Sequence, residues 1–365
     1  MAYEMDFIGV SEELAKKDAD AIAFRWKTEN GFKRCVYDGG FEDHGESLAE
    51  VLNKYYFQPN EEKVIDAVFV SHSDQDHTSG LKTILENFTV KALYMNRPWL
   101  YVDELFDKTD DKRITKESLV RRLKEKFQYI ADLEELADRK AIPIYEAFAG
   151  QKIENKLFVL SPSKATYKQL LIESDKTPLQ ESRVDAKDSV FYRCMNKIYD
   201  VFESWNIETL REDVSTSAEN EMSIVLLGLM DDEKFLLTGD VGTKGLRNAI
   251  DYYRYYYGKL ITGDIKFMQV PHHGGRHNVS PSILNELIGN KVENGMDIGI
   301  TAFVSAAENS DHPYKMVINA YLRRGAKVMK TAGKSIRHQM SMPLRNGYSS
   351  IESEKFNQYV EKWND

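Results

Sequence analysis

The chain has 365 residues, 42% of them hydrophobic and 29% charged, so it can bury a sizeable core, and no apolar run is long enough to span a bilayer. Its formal net charge of −9 argues against a broad basic face for long nucleic acids and favours small substrates, although a local basic groove is compatible with it. The N-terminus has no signal-peptide pattern and the two cysteines, Cys35 and Cys194, are far apart, which favours a cytoplasmic protein without a disulfide framework or membrane contact.

Hydrophobic periodicity predicts a chain that alternates between strands and helices. Strands rich in β-branched and aromatic residues are predicted at 6–10, 21–26, 33–37, 64–70, 90–95, 157–160, 223–229, 234–238, 265–270, 298–305 and 327–331. Amphipathic helices are predicted at 46–56, 79–87, 243–257, 280–287 and 314–324. The nearly continuous apolar end of the strand at 64–70 is typical of a strand that is buried on both faces.

Two further stretches are predicted as helical insertions, at about 101–142 and 187–212. In the first, Leu119, Leu123 and Phe127 recur at helical spacing, and in the second Val190 and Cys194 begin a similar apolar face. Neither a repeat nor a long linker divides the chain, which predicts a single domain over residues 1–365. The insertions would pack on this domain, cover a functional site or form the face of an oligomer.

The densest set of chemically active side chains follows the strand at 64–70. His72, Asp74, Asp76 and His77 are four possible metal ligands within six residues. A loop at the end of a buried strand stands on a rigid base and can hold such groups in a fixed arrangement. Imidazoles and carboxylates together are suited to divalent metal ions. This density favours a metal site over a capped helix start with surface carboxylates.

Two other groups follow strands in the same way. Asp240 comes after the strand at 234–238 and a glycine, and the pair His272-His273 comes after the strand at 265–270. A carboxylate at the end of a strand can bridge two metal ions, although a single aspartate in a turn is more often structural. In the histidine pair, one imidazole can bind metal while the other faces the substrate. The three groups together carry the prediction.

Two other clusters favour a structural role. Asp43-His44 has no further ligands nearby in sequence, so a solvated loop is the favoured interpretation. The aromatic run at 252–257 could stack on bases or meet a partner protein. Because these residues point in several directions on a helix, a half-buried, half-exposed surface is the favoured interpretation.

The order of these motifs resembles the metallo-β-lactamase superfamily. The matching segments, in chain order, are Val36-Tyr37-Asp38-Gly39-Gly40, His72-Ser73-Asp74-Gln75-Asp76-His77, Thr238-Gly239-Asp240 and Pro271-His272-His273-Gly274. The chain is most similar to the ComEC-like branch, in which an aspartate, here Asp74, replaces the second histidine. Asp20-Ala21-Ile22 also resembles a Gly-Asp-Ala-Ile segment of that branch, with Ala19 in place of the glycine. The resemblance implies an α/β fold, the αββα sandwich of two mixed sheets covered by helices.

The resemblance also implies a role for each motif residue. Two divalent metal ions are expected: the first held by His72 and Asp74, the second by Asp76, His77 and His273, with Asp240 bridging them. His272 would face the substrate, although the resemblance does not fix which of the paired histidines is the ligand. Asp38 would accept a hydrogen bond that fixes the ligand loop.

One departure from the superfamily concerns the first metal. A histidine normally completes that site, and no histidine occurs from Thr78 to Pro271. Asn220, Glu221 or water could supply an oxygen in its place. Since such a site is rich in oxygen ligands, Mn²⁺ or Mg²⁺ would fit as well as Zn²⁺. The first site could also be weak or empty.

A pair of metal ions would make hydroxide available near neutral pH, for in-line attack on phosphorus. The candidate catalytic residues are Asp76, His272 and His312, the two histidines as proton donors or phosphate ligands. For His312, which precedes Pro313, a structural role at a helix start is an equal alternative.

Three functions therefore remain open from the sequence. The resemblance favours a phosphodiesterase that acts on DNA, RNA or a smaller nucleotide. A hydrolase of esters, lactones or thioesters is the second alternative, and a non-catalytic metal-binding regulatory module is the third.

Overall fold

A computed structural model describes residues 2–11, 17–109, 113–179, 201–231, 233–260 and 262–363. Its strands, in chain order, are β1 (Tyr3–Phe7), β2 (Ala21–Thr28), β3 (Gly31–Gly39), β4 (Val64–Ile65), β5 (Ala67–Phe69), β6 (Thr89–Val90), β7 (Leu93–Tyr94), β8 (Ile144–Tyr145), β9 (Lys152–Ile153), β10 (Leu157–Ser161), β11 (Val201–Phe202), β12 (Val225–Met230), β13 (Glu233–Leu237), β14 (Ile265–Gln269), β15 (Ile300–Val304), β16 (Ala326–Lys330), β17 (Ile336–Met340) and β18 (Tyr359–Val360).

The helices are mostly short, and four of those described begin at a capping serine or threonine. They are α1 (Glu42–Val51), α2 (Gln75–Thr78), α3 (Leu81–Asn87), α4 (Val102–Phe106), α5 (Lys116–Lys126), α6 (Gln128–Arg139), α7 (Lys164–Glu173), α8 (Ala218–Glu221), α9 (Thr243–Tyr257), α10 (Pro281–Leu287) and α11 (Lys315–Arg323). Thr115, Ser163, Ser217 and Ser280 each accept a backbone hydrogen bond at the start of α5, α7, α8 and α10. In the described ranges, no helix combines the length and apolar character needed to cross a bilayer.

Most strands belong to two mixed, seven-stranded sheets. The first has the order β17-β1-β2-β3-β5-β7-β8, antiparallel from β17 to β3 and parallel from β3 to β8. The second has the order β16-β15-β14-β13-β12-β10-β9, parallel from β16 to β13 and antiparallel beyond it. The parallel segments bring the ends of consecutive strands to one edge of each sheet.

The two sheets pack face to face through aromatic side chains. Phe7 of the first sheet contacts Phe267 and Phe303 of the second, with ring centroids 5.6 and 5.4 Å apart. Phe24 and Phe235 meet in the same way at 5.6 Å. All five side chains are buried, and edge-to-face contacts of this kind stabilise a core beyond the area that they bury.

Helices cover the outer face of each sheet, and strand alternation explains how both faces are buried. In β2, Ile22 and Phe24 point into the core between the sheets, whereas Ala21 and Ala23 belong to the core under the helices. A third core lies between the second sheet and its own helices. The αββα sandwich predicted from the sequence is therefore confirmed.

The predicted elements agree best where the local pattern is longest. Helix α9 has the predicted bounds. The predicted strand at 64–70 is divided into β4 and β5 at Asp66, whose carboxylate accepts a hydrogen bond from the Arg34 amide at 3.0 Å. The first insertion is helical, and its described residues form three helices, α4 to α6.

The prediction of a second helical insertion at 187–212 is wrong in its described part. Residues 180–200 lie outside the described residues, and beyond them Val201–Phe202 is a strand that pairs with Tyr359–Val360. Glu203 follows this strand and its buried carboxylate forms an ion pair with Arg323 at 3.0 Å. These long-range contacts override the helical pattern of the local sequence.

Candidate metal centre

Several chain segments bring their polar residues to one edge of the sandwich. Strand β5 leads into the loop and the short helix α2, which carry His72 and His77. Strand β13 of the opposite sheet leads to Asp240, and β14 leads to His272 and His273. The structure thus brings the three sequence motifs together: His77 Nε2 lies 3.2 Å from Asp240 Oδ1, and His72 Nε2 lies 3.9 Å from Asp240 Oδ2.

The most compact part of the site is a set of four buried side chains, which we call the ligand group: Asp20, His77, Asp240 and His273. One nitrogen or oxygen atom from each lies within 4.8 Å of the corresponding atom of every other member. Two imidazoles and two carboxylates at this separation are a donor set that suits a divalent transition metal.

Unpaired polar atoms distinguish the ligand group from an ordinary buried network. The Nε2 atoms of His77 and His273, Oδ1 of Asp240 and both oxygens of Asp20 are buried and have no hydrogen-bond partner among the described residues. Buried polar atoms are nearly always paired, because leaving one unpaired costs about 1–3 kcal/mol. A cation that accepts these lone pairs would satisfy them together. The residues present therefore fit a metal ion.

Asp20 is a member of the ligand group that the sequence motifs do not mark as a ligand. It lies just before β2, which runs antiparallel to β3, with Ala21 opposite Gly39. The start of β2 therefore reaches the edge at which β3 ends, and the Asp20 amide donates to the carbonyl of Asp76 at 3.1 Å. The direction of the neighbouring strand is the signal that could have identified Asp20.

Asp38 orients the ligand loop. One carboxylate oxygen lies 2.8 Å from His77 Nδ1, and the other accepts a hydrogen bond from the Ser71 amide at 2.7 Å. The first contact favours a proton on Nδ1, so Nε2 is the ring nitrogen that faces the ligand group.

The paired histidines have different surroundings. His273 is buried, its Nδ1 lies 2.9 Å from the carbonyl of Ser305, and its Nε2 lies 3.6 Å from Asp76 Oδ2. His272 is 33% exposed in its side chain, and its Nδ1 is hydrogen-bonded to Asp240 Oδ2. The structure thus places His273 in the ligand group and His272 at its rim.

The backbone of the histidine pair is unusual. His272 and His273 have φ angles of 49° and 54°, in the left-handed region that costs a residue other than glycine about 1–3 kcal/mol. Gly274 follows with φ 84°, and a Cβ there would meet Pro313 Cβ at 2.3 Å. This turn presents two adjacent imidazoles to one site.

The other motif residues form what we call the His72–Asp74 side. His72 Nε2 lies 3.7 Å from Asp74 Oδ2, and Lys176 donates to Asp74 Oδ1 at 2.5 Å. Lys176 belongs to no motif, and its position beside Asp74 depends on a contact across about a hundred residues of chain.

The two residues expected near the missing histidine have other partners. Asn220 donates through Nδ2 to Thr216 Oγ1 at 2.9 Å and lies 3.4 Å from His272 Nδ1. Glu221 accepts from the amides of Lys244 and Gly245 at 3.3 and 2.7 Å, so it caps α9 and does not face the ligand group.

His312 lies beside the paired histidines rather than in a remote helix cap. Its ring centroid is 5.9 Å from that of His272 and 6.4 Å from that of His273. Asp18, on the same chain segment as Asp20, forms a hydrogen bond through Oδ2 to His312 Nδ1 at 2.9 Å.

The charged groups of the site shift one another's pKa values. Burial would raise the pKa of Asp240, but His77 and His272 beside it hold that pKa well below its ordinary value. Burial would lower the pKa of His77, but Asp240 and Asp38 raise it well above its ordinary value. For His273, the same opposition between burial and Asp240 raises the pKa to about 10. The carboxylates thus favour positive charge at the ligand group.

Comparisons with known proteins give distant similarities. No family model and no curated protein matches the chain. Among solved structures, Tm1679, a metal-dependent hydrolase of the β-lactamase superfamily, is 11% identical, with 93% of this chain and 100% of the other covered and a TM-score of 0.43. Zn²⁺-bound PqqB from Methylobacterium extorquens is 11% identical, with 91% and 99% covered and a TM-score of 0.38. The metallo-β-lactamase fold protein YhfI from Bacillus subtilis is 9% identical, with 93% and 100% covered and a TM-score of 0.33. The αββα architecture itself rests on the strand order and packing of this chain.

Proposed function

We propose that this protein is a metal-dependent hydrolase of the metallo-β-lactamase superfamily that cleaves a phosphodiester bond in a nucleic acid or nucleotide-type substrate. The observation that carries the proposal is the convergence of unpaired, buried imidazole and carboxylate atoms in the ligand group. Structural polar clusters pair their atoms with each other, whereas metal ligands keep a lone pair free for the ion.

The metal would be held by Asp20, His77, Asp240 and His273, with Asp76 beside them. Two imidazoles favour Zn²⁺, and the several carboxylates make Mn²⁺ or Mg²⁺ compatible with the same position. When bound, a divalent cation supplies an activated water near neutral pH and neutralises charge that develops on the substrate. The pair of ions implied by the sequence motifs remains a prediction.

The chain's own residues position the substrate and handle its protons. The Nδ1 atom of His272 is hydrogen-bonded to Asp240, and that of His312 is hydrogen-bonded to Asp18. Nε2 of each ring would therefore face the substrate. Burial would raise the pKa of Asp18, but its hydrogen bond to His312 lowers it, so Asp18 stays charged and holds the His312 ring. Either Nε2 can donate a proton to a leaving oxygen or bind a phosphoryl oxygen.

The substrate class is inferred from the sequence motifs and the open side of the site. The resemblance to the ComEC-like branch favours a phosphodiester over a carboxylic ester. On the open side, His272, His312 and Lys176 are partly exposed cations or proton donors, a combination suited to an anionic substrate.

Replacing Asp240 tests this proposal. With Mn²⁺ or Zn²⁺ present, we expect the wild-type protein to hydrolyse bis(p-nitrophenyl) phosphate, and Asp240→Ala to lose at least about 100-fold in kcat/KM, because it removes a carboxylate from the ligand group. The matched control is Asp251→Ala, which removes an exposed aspartate whose partner is Arg254.

Two outcomes separate the alternatives. Hydrolysis of p-nitrophenyl acetate or a thioester, without cleavage of the phosphodiester, would replace the proposed substrate class by that of ester hydrolases. Metal binding without hydrolysis of any of these substrates would instead favour a regulatory module.

A further inference from the structure

The His72–Asp74 side already contains a positive charge from the protein. Lys176 donates to Asp74 Oδ1 at 2.5 Å, and the other oxygen of this carboxylate faces His72. An ion bound by Asp74 would therefore compete directly with the ammonium group for the carboxylate.

Contacts of the chain segment just after α7 restrain Lys176. It follows α7, and its amide donates to Ser174 Oγ at 3.1 Å, while the Ser174 hydroxyl donates to the buried carboxylate of Glu219. The Nζ atom also lies 5.9 Å from the centroid of the Phe127 ring. These contacts distinguish it from a mobile surface lysine.

The other groups that would complete a second metal site also have protein partners. Asp240 Oδ2, which lies 3.9 Å from His72 Nε2, is hydrogen-bonded to His272 Nδ1. The amide group of Asn220 donates to Thr216. On the His72–Asp74 side only His72 Nε2 is buried without a partner among the described residues, whereas the ligand group has five such atoms.

The distances between potential ligand atoms also distinguish the ligand group from the His72–Asp74 side. Within the part of the chain that the structure describes, one group of potential ligands meets the mutual distance of 4.8 Å, and it contains neither His72 nor Asp74. The sequence supplies no histidine between Thr78 and Pro271 to complete a second set.

We propose that the Lys176 ammonium takes the place of a second metal ion, so that each chain binds one divalent cation, at the ligand group. Lys176 neutralises Asp74 and presents a fixed positive charge to the substrate side of the site. This inference rests on the proposed metal centre, and it replaces the two-ion arrangement implied by the sequence motifs with one ion and one lysine.

Metal stoichiometry tests the inference without reference to activity. The full chain is stripped with a chelator, titrated with Mn²⁺, and analysed by elemental analysis and by electron paramagnetic resonance. We expect one Mn²⁺ per wild-type chain with the spectrum of an isolated ion. Lys176→Met should bind two ions, with a spectrum altered by spin coupling, and adding Asp74→Asn should return the stoichiometry to one.

Two control variants separate charge from general damage. Lys176→Arg retains a cation and should still bind one ion. Lys168→Met removes a partly exposed lysine within α7 that pairs with Glu104, and should bind one ion as well. Circular dichroism and thermal melting of every variant identify any that fail to fold.

Four outcomes would overturn the inference. Two ions in the wild-type chain would show that Lys176 does not exclude the second. A single ion in a folded Lys176→Met chain would show that something other than Lys176 excludes the second ion. If the one wild-type ion is lost in Asp74→Asn and retained in His273→Ala, the ion is bound at the His72–Asp74 side and not at the ligand group. No bound ion at all would reject the proposed metal centre as well, which distinguishes that failure from the other three.

Discussion

Asp38 holds two parts of the ligand loop, the imidazole of His77 and the amide of Ser71. Replacing it by asparagine retains the shape, and asparagine tolerates the left-handed backbone of this position, where φ is 58°. However, the asparagine amide can no longer fix the His77 proton on Nδ1 as a carboxylate does. We expect Asp38→Asn to weaken metal affinity by about 10–100-fold, as measured by competition with a chromogenic chelator.

The control for this change is Asp251→Asn on the exposed face of α9, which should leave the affinity unchanged. Equal affinities in Asp38→Asn and the wild type would mean that the hydrogen bond to His77 does not orient a metal ligand.

Most members of the site could be predicted one residue at a time. His72, Asp74, Asp76, His77, Asp240 and the histidine pair lie directly after strands, and local sequence shows both the strand and the chemistry. Asp20 and Lys176 could not be assigned in this way. Asp20 depends on the direction of β2 relative to β3, and Lys176 depends on a turn after α7 whose packing is not a local property.

His338 on β17 gives the outer strand of the first sheet a dependence on pH. Burial lowers the pKa of His338 to about 4, and its Nε2 lies 3.2 Å from the Tyr3 hydroxyl. The folded chain therefore keeps His338 neutral, whereas the unfolded chain takes up a proton as the pH falls below about 6.5. The contribution of His338 to the free energy of unfolding should therefore decrease as the pH falls from 7 to 5.

Replacing His338 by glutamine should reduce this decrease by about 1.4 kcal/mol per pH unit at its steepest, the contribution of one proton. Urea unfolding at several pH values measures it. His44, whose pKa burial also lowers to about 4, is unchanged in this variant, so its own contribution to the slope should remain. A slope identical to that of the wild type would mean that His338 is already protonated in the folded chain.

Local patterns predicted elements well when the contacts that stabilise them are also local. Helix α9 agrees in both bounds with its prediction, and its buried residues recur at helical spacing from Gly245 to Tyr253. The expectation for 187–212 is wrong over Val201–Phe202, because the strand there pairs with a segment more than a hundred residues away. Helix α7 buries Tyr167, Leu170 and Leu171 at helical spacing, so its sequence does contain a signal that the predicted elements leave out.

The sandwich as a whole explains why residues so distant in sequence form one site. Strands β3 and β5 of one sheet and β13 and β14 of the other end at a common edge, and the aromatic core between the sheets fixes their separation. The order of the motifs predicted this architecture, but the pairing of β1 with β17, which places Tyr3 opposite Met340, could not be read from local sequence.

The most direct test of the metal centre is the position of a bound ion in a crystal. Diffraction data from Mn²⁺- or Zn²⁺-loaded protein, collected on either side of the absorption edge of the metal, locate the ion by its anomalous signal. We expect a peak at about 2.0–2.2 Å from His77 Nε2, His273 Nε2 and a carboxylate oxygen of Asp240. A well-ordered, metal-loaded crystal with no peak among these atoms, or with its only peak elsewhere, would contradict the proposal.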